Sequence, residues 1–420
     1  MKPLSFLLKT TILTVILIVG LSSLSLGAND TLLIVGGTVR DYITKRKIEN
    51  ANIVVPGTNV GTVTNADGKF TIKINKESHL GSLLITHLGY TNHYLTIADE
   101  DIPDAQVFLM KNAISLDPVL VHNPEPRKLV EQAVGRIERN YSDKTEMLRG
   151  FYRETILKRR NYISISEALL NIYKSPYKDG IHNDRVQIFK GRKLISQNPS
   201  DTLILKFEGG PTLSIYTDVV KNTDLFFNIE SLDEYNFMMN EAIMINDRPH
   251  YVISFFPAGF ANRFPLYYGR LYIDKETLTI SNAEFNVSME DRNKVTNLFV
   301  KKKPFGSRFT PEEISYYVTY RQQDGKSRLN YICNTIRFQF DLKRKLFSTN
   351  YNITSEMVVV DGETQNVAKI PRQDALKITD VFEDKVKSFT DENFWEDYNI
   401  LEPTESLETG IKRLKKQQDK

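Results

Sequence analysis

Apolar residues recur at every second position through much of this chain, and turn-forming residues break the alternation about every 8 to 12 positions. That pattern leaves room for little besides antiparallel β-structure, because alternate side chains of an extended strand point to opposite faces. From Thr31 to about Asn112 the runs are "TLLIVGGTVRD", "ANIVVPG", "GTVTN", "GKFTIKI", "SLLITHLGY", "HYLTIA" and "AQVFLMK", punctuated by Pro56-Gly57 and Gly89. Short strands at this spacing predict a seven-strand-type antiparallel β-sandwich over residues 29–115.

One stretch of it, "GTVTNADGKFTI" (Gly61 to Ile72), spaces Asn65, Asp67 and Gly68 as a calcium loop does. With Gly68 at the turn, Val63 takes the first ligand position and Ile74 the last, and neither coordinates a hard cation. Asn at the first place and Gly at the fourth suit a tight turn. The expectation is therefore a hairpin between half-buried strands, with no metal.

The succession "GGTVRDYITKRKIENANIVVPGTNVGTVTNADGKFTI" followed by "LLITHLGYTNHYLTI" resembles the carboxypeptidase-like regulatory domain, a transthyretin-like β-sandwich of many Gram-negative envelope proteins. The matching residues are Gly37, Val39, Ala51, Val54, Gly57, Thr58, Gly61, Thr62, Thr64, Asp67, Gly68, Phe70, Gly89 and Tyr90. The resemblance implies a structural or partner-contacting module without catalytic residues.

A Pro-bearing linker is expected at 116–126, and "RKLVEQAVGRIERNY" then sets Val130, Val134, Ile137 and Tyr141 on one helical face. Beyond it the chain is aromatic-rich and strand-like, with turns at "YKDG", "INDRP", "DKET", "QQDGKS" and "VDGET". The expected second unit, 127–400, is an α+β domain with a curved antiparallel sheet and this leading amphipathic helix. Its element order resembles the half-open barrels of periplasmic lipoprotein carriers, where a leading helix plugs the concave face. Leu407, Ile411 and Leu414 predict a terminal helix with a basic tail over 401–420, and "FWEDYNILEP" is similar to the C-termini of envelope proteins carrying the same module.

"MKPLSFLLKTTILTVILIVGLSSLSLGAND" has the layout of a secretory signal peptide: Lys2 and Lys9, an apolar stretch, then small residues, with cleavage after Gly27 or Ala28. The expected location is the periplasm or the outer membrane. The formal charge is +3, and loss of Lys2 and Lys9 leaves +1, which argues against a nucleic-acid partner. With Cys333 as its single cysteine the chain forms no internal disulfide.

No catalytic constellation emerges. His122 and Glu125 form an HxxE pair, with His250 further on, but the pair falls in the linker and the βαβ alternation of a zinc carboxypeptidase is missing. No cofactor or metal is expected. Two clusters remain as candidate contacts. Phe255, Phe256, Phe260, Phe264, Tyr267 and Tyr268 surround Pro257, Gly259 and Pro265, as a ligand groove would. Lys301, Lys302, Lys303 and Arg308 suit an anionic surface, lipid or polysaccharide. The leading expectation is a non-enzymatic envelope scaffold that binds an envelope protein or outer-membrane component. A carrier of lipid or another apolar ligand in a curved-sheet cavity comes second, and a hydrolase third.

Overall fold

The computed structural model describes residues 31–78, 81–112, 124–201, 207–225, 228–259, 261, 264–299, 305–342, 348–388, 394–395 and 398–418. The signal-peptide positions, most of the linker, Phe260 and Lys301 to Lys303 lie outside them.

The N-terminal module is built from β1 (Leu32–Asp41), β2 (Asn52–Val54), β3 (Gly61–Val63), β4 (Lys69–Asn75), β5 (Ser82–Thr86), β6 (His93–Thr96) and β7 (Ile102–Leu109). They form two sheets, β4–β1–β7 and β3–β2–β5–β6. The alternation works as expected: in β4, Phe70, Ile72 and Ile74 enter the core while Thr71 and Lys73 face outward. One detail departs from an all-antiparallel sandwich. β7 crosses back from the other sheet and lies parallel to β1, with Val107 beside Val39.

The "TNADGK" stretch also differs from a simple hairpin. β3 pairs with β2 and β4 with β1, so the turn carries the chain from one sheet to the other. Asn65 Oδ1 accepts the N–H groups of Asp67 and Lys69 at 2.9 and 3.0 Å, and Gly68 N–H donates to Asn65 O at 2.8 Å. Gly68 sits at φ 69°, and a Cβ there would lie 2.6 Å from the Val39 carbonyl oxygen, so glycine is required twice over.

The large unit is one curved sheet. Its strands are β8 (Glu146–Lys158), β9 (Asn161–Lys174), β10 (Arg185–Ile195), β11 (Tyr235–Ile245), β12 (Arg248–Pro257), β13 (Tyr267–Asp274), β14 (Ile280–Val287), β15 (Ser307–Gln323), β16 (Lys326–Leu342), β17 (Thr349–Glu363) and β18 (Lys387–Ser388). Among the described residues their order is β11–β12–β13–β14–β15–β16–β17–β8–β9–β10–β18, antiparallel except for the short β10–β18 pair. Two-residue turns with positive φ join β11 to β12 (Asn246, Asp247) and β15 to β16 (Asp324, Gly325), the backbone that matches the sheet's twist. "VDGET" is not a turn: Asp361, Gly362 and Glu363 continue β17 and pair with β8 past a bulge.

Both faces of this sheet are apolar. Leu148, Tyr152, Leu170, Phe285, Ile332 and Met357 point to the inner face, and Phe151, Leu169, Tyr331, Val358 and Val360 to the outer. The leading helix packs on the inner face but breaks at Arg136, giving Pro126–Gly135 and Ile137–Asn140. Val130, Ala133, Ile137 and Tyr141 are buried, and the Tyr141 hydroxyl donates to Ile280 O at 2.5 Å.

Against the outer face lie the N-terminal module, through Val63, and the C-terminal segment, through Trp395 and Leu401. Several hydrogen bonds cross between module and sheet. Asn59 Nδ2 donates to Gly362 O (2.5 Å), Arg321 Nη2 to Asn59 O (2.6 Å), Asn330 Nδ2 to Asn52 Oδ1 (2.7 Å) and Gly89 N to Met244 O (2.8 Å). The outer face carries an apolar cluster of its own, so leaving it uncovered would expose that patch to water. The terminal helix, Glu405–Gln418, buries Leu407 and Leu414 against Ile165 and Leu194. Among the described residues no helix is long and apolar enough to cross a membrane.

Candidate functional site

On the inner face, beside the leading helix, the sheet and an overlying segment enclose a cavity of about 800 Å³. The roof is residues 207–225, centred on the helix Gly210–Tyr216. Gly209 and Gly210 at φ 106° and 44°, then Pro211 in the first turn, explain why the chain turns sharply into a helix there. A Cβ on Gly210 would lie 2.7 Å from the Phe382 Cβ, so the roof packs tightly on residues 376–382. Gly209 N–H donates to Asp380 O (2.9 Å) and the Thr212 hydroxyl to Leu376 O (3.2 Å), joining the two segments.

The cavity has two unlike walls. One is aromatic and aliphatic: Tyr267, Phe285, Val287 and Tyr316 from β13 to β15, with Pro265, Leu213 and Leu225. Phe285 and Tyr316 stack with ring centroids 4.8 Å apart, and Tyr267 meets Phe285 edge-on at 5.7 Å. The other wall is polar, made by Tyr152 and Glu154 of β8, Ser355 of β17, Asn334 of β16 and Thr217. The Tyr152 hydroxyl donates to Glu154 Oε2 at 3.1 Å. Asn334 Nδ2 donates to Ser214 Oγ at 3.1 Å, which ties this wall to the roof. Glu208 and the half-exposed Ile378 sit at the rim.

Glu154 is the unusual group. Burial pushes its carboxyl up to about 7, the charge of Glu383 pushes in the same direction, and the Tyr152 hydrogen bond only partly opposes them. Among the described lining residues there is no lysine, arginine, histidine or cysteine.

Next to the roof, four charged side chains are fully buried. Lys174 Nζ lies 2.7 Å from Asp218 Oδ2 and 3.4 Å from Asp184 Oδ2, and Lys221 Nζ is 2.6 Å from Asp184 Oδ1. The Tyr320 hydroxyl donates to Asp218 Oδ1 at 2.7 Å and the Tyr177 hydroxyl to Asp218 Oδ2 at 3.3 Å. Burial opposes the Lys174 charge, but Asp218 and Asp184 outweigh it and raise its pKa. Lys221 is pushed down to about 8 by burial and by the like charge of Lys174. The cluster balances two cations with two carboxylates and fixes the 217–222 turn, the far end of the roof, to β9 and β15. Its members are up to 47 residues apart with no shared motif.

The sequence-derived candidates are scattered. Tyr267 lines the cavity, Phe264 packs at the core's edge, and Phe255 is buried against Tyr235. Phe256 and Tyr268 are each 44% exposed on the other parity of their strands, and Phe260 lies outside the described residues. Of the basic cluster only Arg308 is described; it is exposed at the start of β15, near the fully exposed Phe305. His122 lies outside the described residues, while both ring nitrogens of His250 are engaged, by Arg248 O (2.9 Å) and Ser281 Oγ (2.8 Å). Among the described residues no group of three or more His, Cys, Asp or Glu is placed to hold a metal. The Cys333 thiol is pushed up to about 12 by burial and by Glu356, far from the range of a reactive thiolate. A readable signal for the cavity did exist: on β8, Glu154 shares the inward parity of Leu148 and Tyr152, an acid where an apolar residue belongs.

Residues 35–121 match the model of the CarboxypepD_reg-like domain. No curated protein matches the chain in sequence. Among solved structures it is similar to a DUF1329 family protein from Desulfovibrio piger, at 10% identity and a TM-score of 0.24 over 58% of this chain and 95% of that one. A putative outer membrane lipoprotein-sorting protein domain from Vibrio parahaemolyticus overlaps at 11% identity and a TM-score of 0.24, covering 59% and 95%. MucB overlaps at 13% identity and a TM-score of 0.18, covering 55% and 92%. Likenesses this slight carry no functional conclusion.

Proposed function

We propose that this protein is a non-enzymatic binder of a small apolar, lipid-like molecule, exported to the cell envelope by its N-terminal leader. The observation that carries the reading is the cavity itself. Protein interiors are close-packed, and a partly open space of about 800 Å³ between the sheet and its roof lies well within the range of about 300–1,000 Å³ typical of small-molecule sites. Aromatic walls with a few convergent polar groups are the usual make-up of such sites. A scaffold needs no such space, so the carrier reading takes precedence over the scaffold expected from sequence. The hydrolase reading lacks support, because the described lining offers Glu154 no histidine, thiol or metal set to work with. The module and C-terminal segment then serve to cover the outer face and hold the curved sheet in shape.

The test is titration with N-phenyl-1-naphthylamine, a neutral dye that brightens in apolar surroundings. Saturable binding near one dye per chain is expected, and Leu213→Trp, which places an indole in the cavity, should abolish it while the melting temperature is retained. A wild-type protein that fails to bind the dye, or a filled variant that binds it equally well, sinks the proposal.

A further inference from the structure

We propose that the polar wall of the cavity is a cation site: Glu154 accepts an ammonium group carried on an apolar ligand, so the cavity takes amine-bearing amphiphiles and turns away anionic ones. This narrows the ligand-binding reading above and rests on it. Three features of the wall point the same way.

The first is the missing counter-charge. Glu154 Oε2 accepts from the Tyr152 hydroxyl, and Oε1 has no partner among the described residues. A carboxylate removed from water without a cation is strongly disfavoured, and a ligand that brings one removes that cost.

The second is the sign of the described groups that line the wall. On β8 the facing titratable group is Tyr152; on the neighbouring strands Ser355 and Ser166 stand opposite Glu154, and neither is charged. From the short helix Phe382–Lys385, Glu383 adds negative charge, its Oε2 held by the Ser164 hydroxyl at 2.7 Å. Glu208 is the remaining carboxylate at the rim. From β10, Lys193 turns its ammonium to the Glu383 backbone carbonyl at 2.6 Å and is not part of the lining. Among the described lining residues an anionic head group therefore meets only acids, hydroxyls and amides on this wall.

The third is geometry. The apolar wall of Phe285, Tyr316 and Val287 lies across from the carboxyl, which places an alkyl or ring body and a head group on opposite sides. Because the free carboxyl sits near 7, an ammonium ion drives its proton off, and affinity for the amine rises between pH 6 and pH 8.

The experiment is displacement of N-phenyl-1-naphthylamine by dodecylamine, dodecanol and dodecanoate, all below their critical micelle concentrations, at pH 6 and pH 8. In the wild type, dodecylamine should compete at least 10-fold better than dodecanoate at pH 8, with a narrower margin at pH 6. Glu154→Gln should keep the dye and dodecanol but lose both the amine preference and its pH dependence. If Glu154→Gln fails to fold, the wild-type pH series decides alone. Dodecanoate matching dodecylamine at pH 8, or a preference that survives Glu154→Gln, overturns the cation site and leaves the cavity reading standing. No binding of the dye or of any amphiphile overturns both.

Discussion

Asp67 Oδ2 accepts the backbone N–H of Glu405 at 2.8 Å, across 338 residues of chain. Glu405 opens the terminal helix, whose first N–H groups have no partner within the helix. Thr404 Oγ1 takes Leu407 N–H at 3.1 Å and Asp67 takes Glu405 N–H, so the module supplies part of the cap. Asn65 Nδ2 adds bonds to Glu402 O and Pro403 O at 3.1 and 3.0 Å, and Lys69 pairs with Glu405 at 3.1 Å. The residues that imitate a calcium loop are thus a clasp for the C-terminal segment.

Removing the clasp should loosen the tail before the rest. Asp67→Ala is expected to cost about 0.5–2 kcal/mol, the scale of a lost helix cap. Hydrogen exchange should speed up in 405–418 and stay unchanged in β15 to β17. The Glu405 N–H, then Lys47, hold the Asp67 carboxyl below its usual pKa. Its contribution is therefore complete above the unfolded-state pKa and is lost as pH falls through the lower folded-state value. Equal exchange in both proteins near neutral pH would refute the clasp.

Glu154 predicts the opposite slope. Its folded pKa of about 7 exceeds the ordinary value of 4.5, so the native state binds more protons between those values and stability falls as pH rises through them. Glu154→Gln should therefore raise the ligand-free melting temperature at pH 8, by the equivalent of about 1–3 kcal/mol, and change it little at pH 4. Thermal melts across pH 4 to 8 check this; parallel curves for the two proteins would show that Glu154 titrates normally.

Local patterns made the strands, most turns and the terminal helix legible, because each depends on neighbours two to four positions apart. Asn65 and Gly68 announced a turn, but nothing local could say that it joins two sheets or that Asp67 reaches Glu405. The aromatic run at 255–268 illustrates the same limit. Strand parity divides it, sending Phe255 and Tyr267 inward and Phe256 and Tyr268 outward, while the remaining cavity walls come from β8, β14 to β17 and the 207–225 roof. Lys174, Asp184, Asp218 and Lys221 read as ordinary solvated charges until the fold brings them together.

The module's core of Val35, Phe70, Ile72, Ile85 and Val107 is self-contained, so we expect residues 29–115 expressed alone to unfold cooperatively with a β-type circular dichroism spectrum. With Val63 and the Asn59 bonds exposed, its melting temperature should lie below that of the full chain. An unfolded fragment would show that the outer face of the sheet is needed to complete the module.

The buried charge cluster should be costly to break and cheaper to replace. Asp218→Asn leaves Lys174 short of its nearest carboxylate and should destabilise by about 3–5 kcal/mol. Since the cluster anchors the roof, N-phenyl-1-naphthylamine should also dissociate faster. Lys174→Met with Asp218→Leu removes both charges, and is expected to recover part of the loss. Denaturant melts of the three variants test this; a single variant as stable as wild type would place the cluster in water.

The leading helix lies beside the cavity without lining it, which gives the carrier reading a test of its own. Ile137 is only 7% exposed and packs in the main core, and no residue of 126–140 lines the cavity. Ile137→Ala should therefore behave as a core truncation, costing about 2–5 kcal/mol through lost burial and the space left behind. It should leave the affinity for N-phenyl-1-naphthylamine unchanged at temperatures where the variant is folded. Leu213→Trp should do the reverse, keeping stability and losing the dye, because Leu213 borders the cavity from the roof. The pair forms a double dissociation that needs only melts and one titration. If Ile137→Ala alters dye affinity while melting like wild type, the ligand lies under the leading helix, and the cavity beneath 207–225 is not the site.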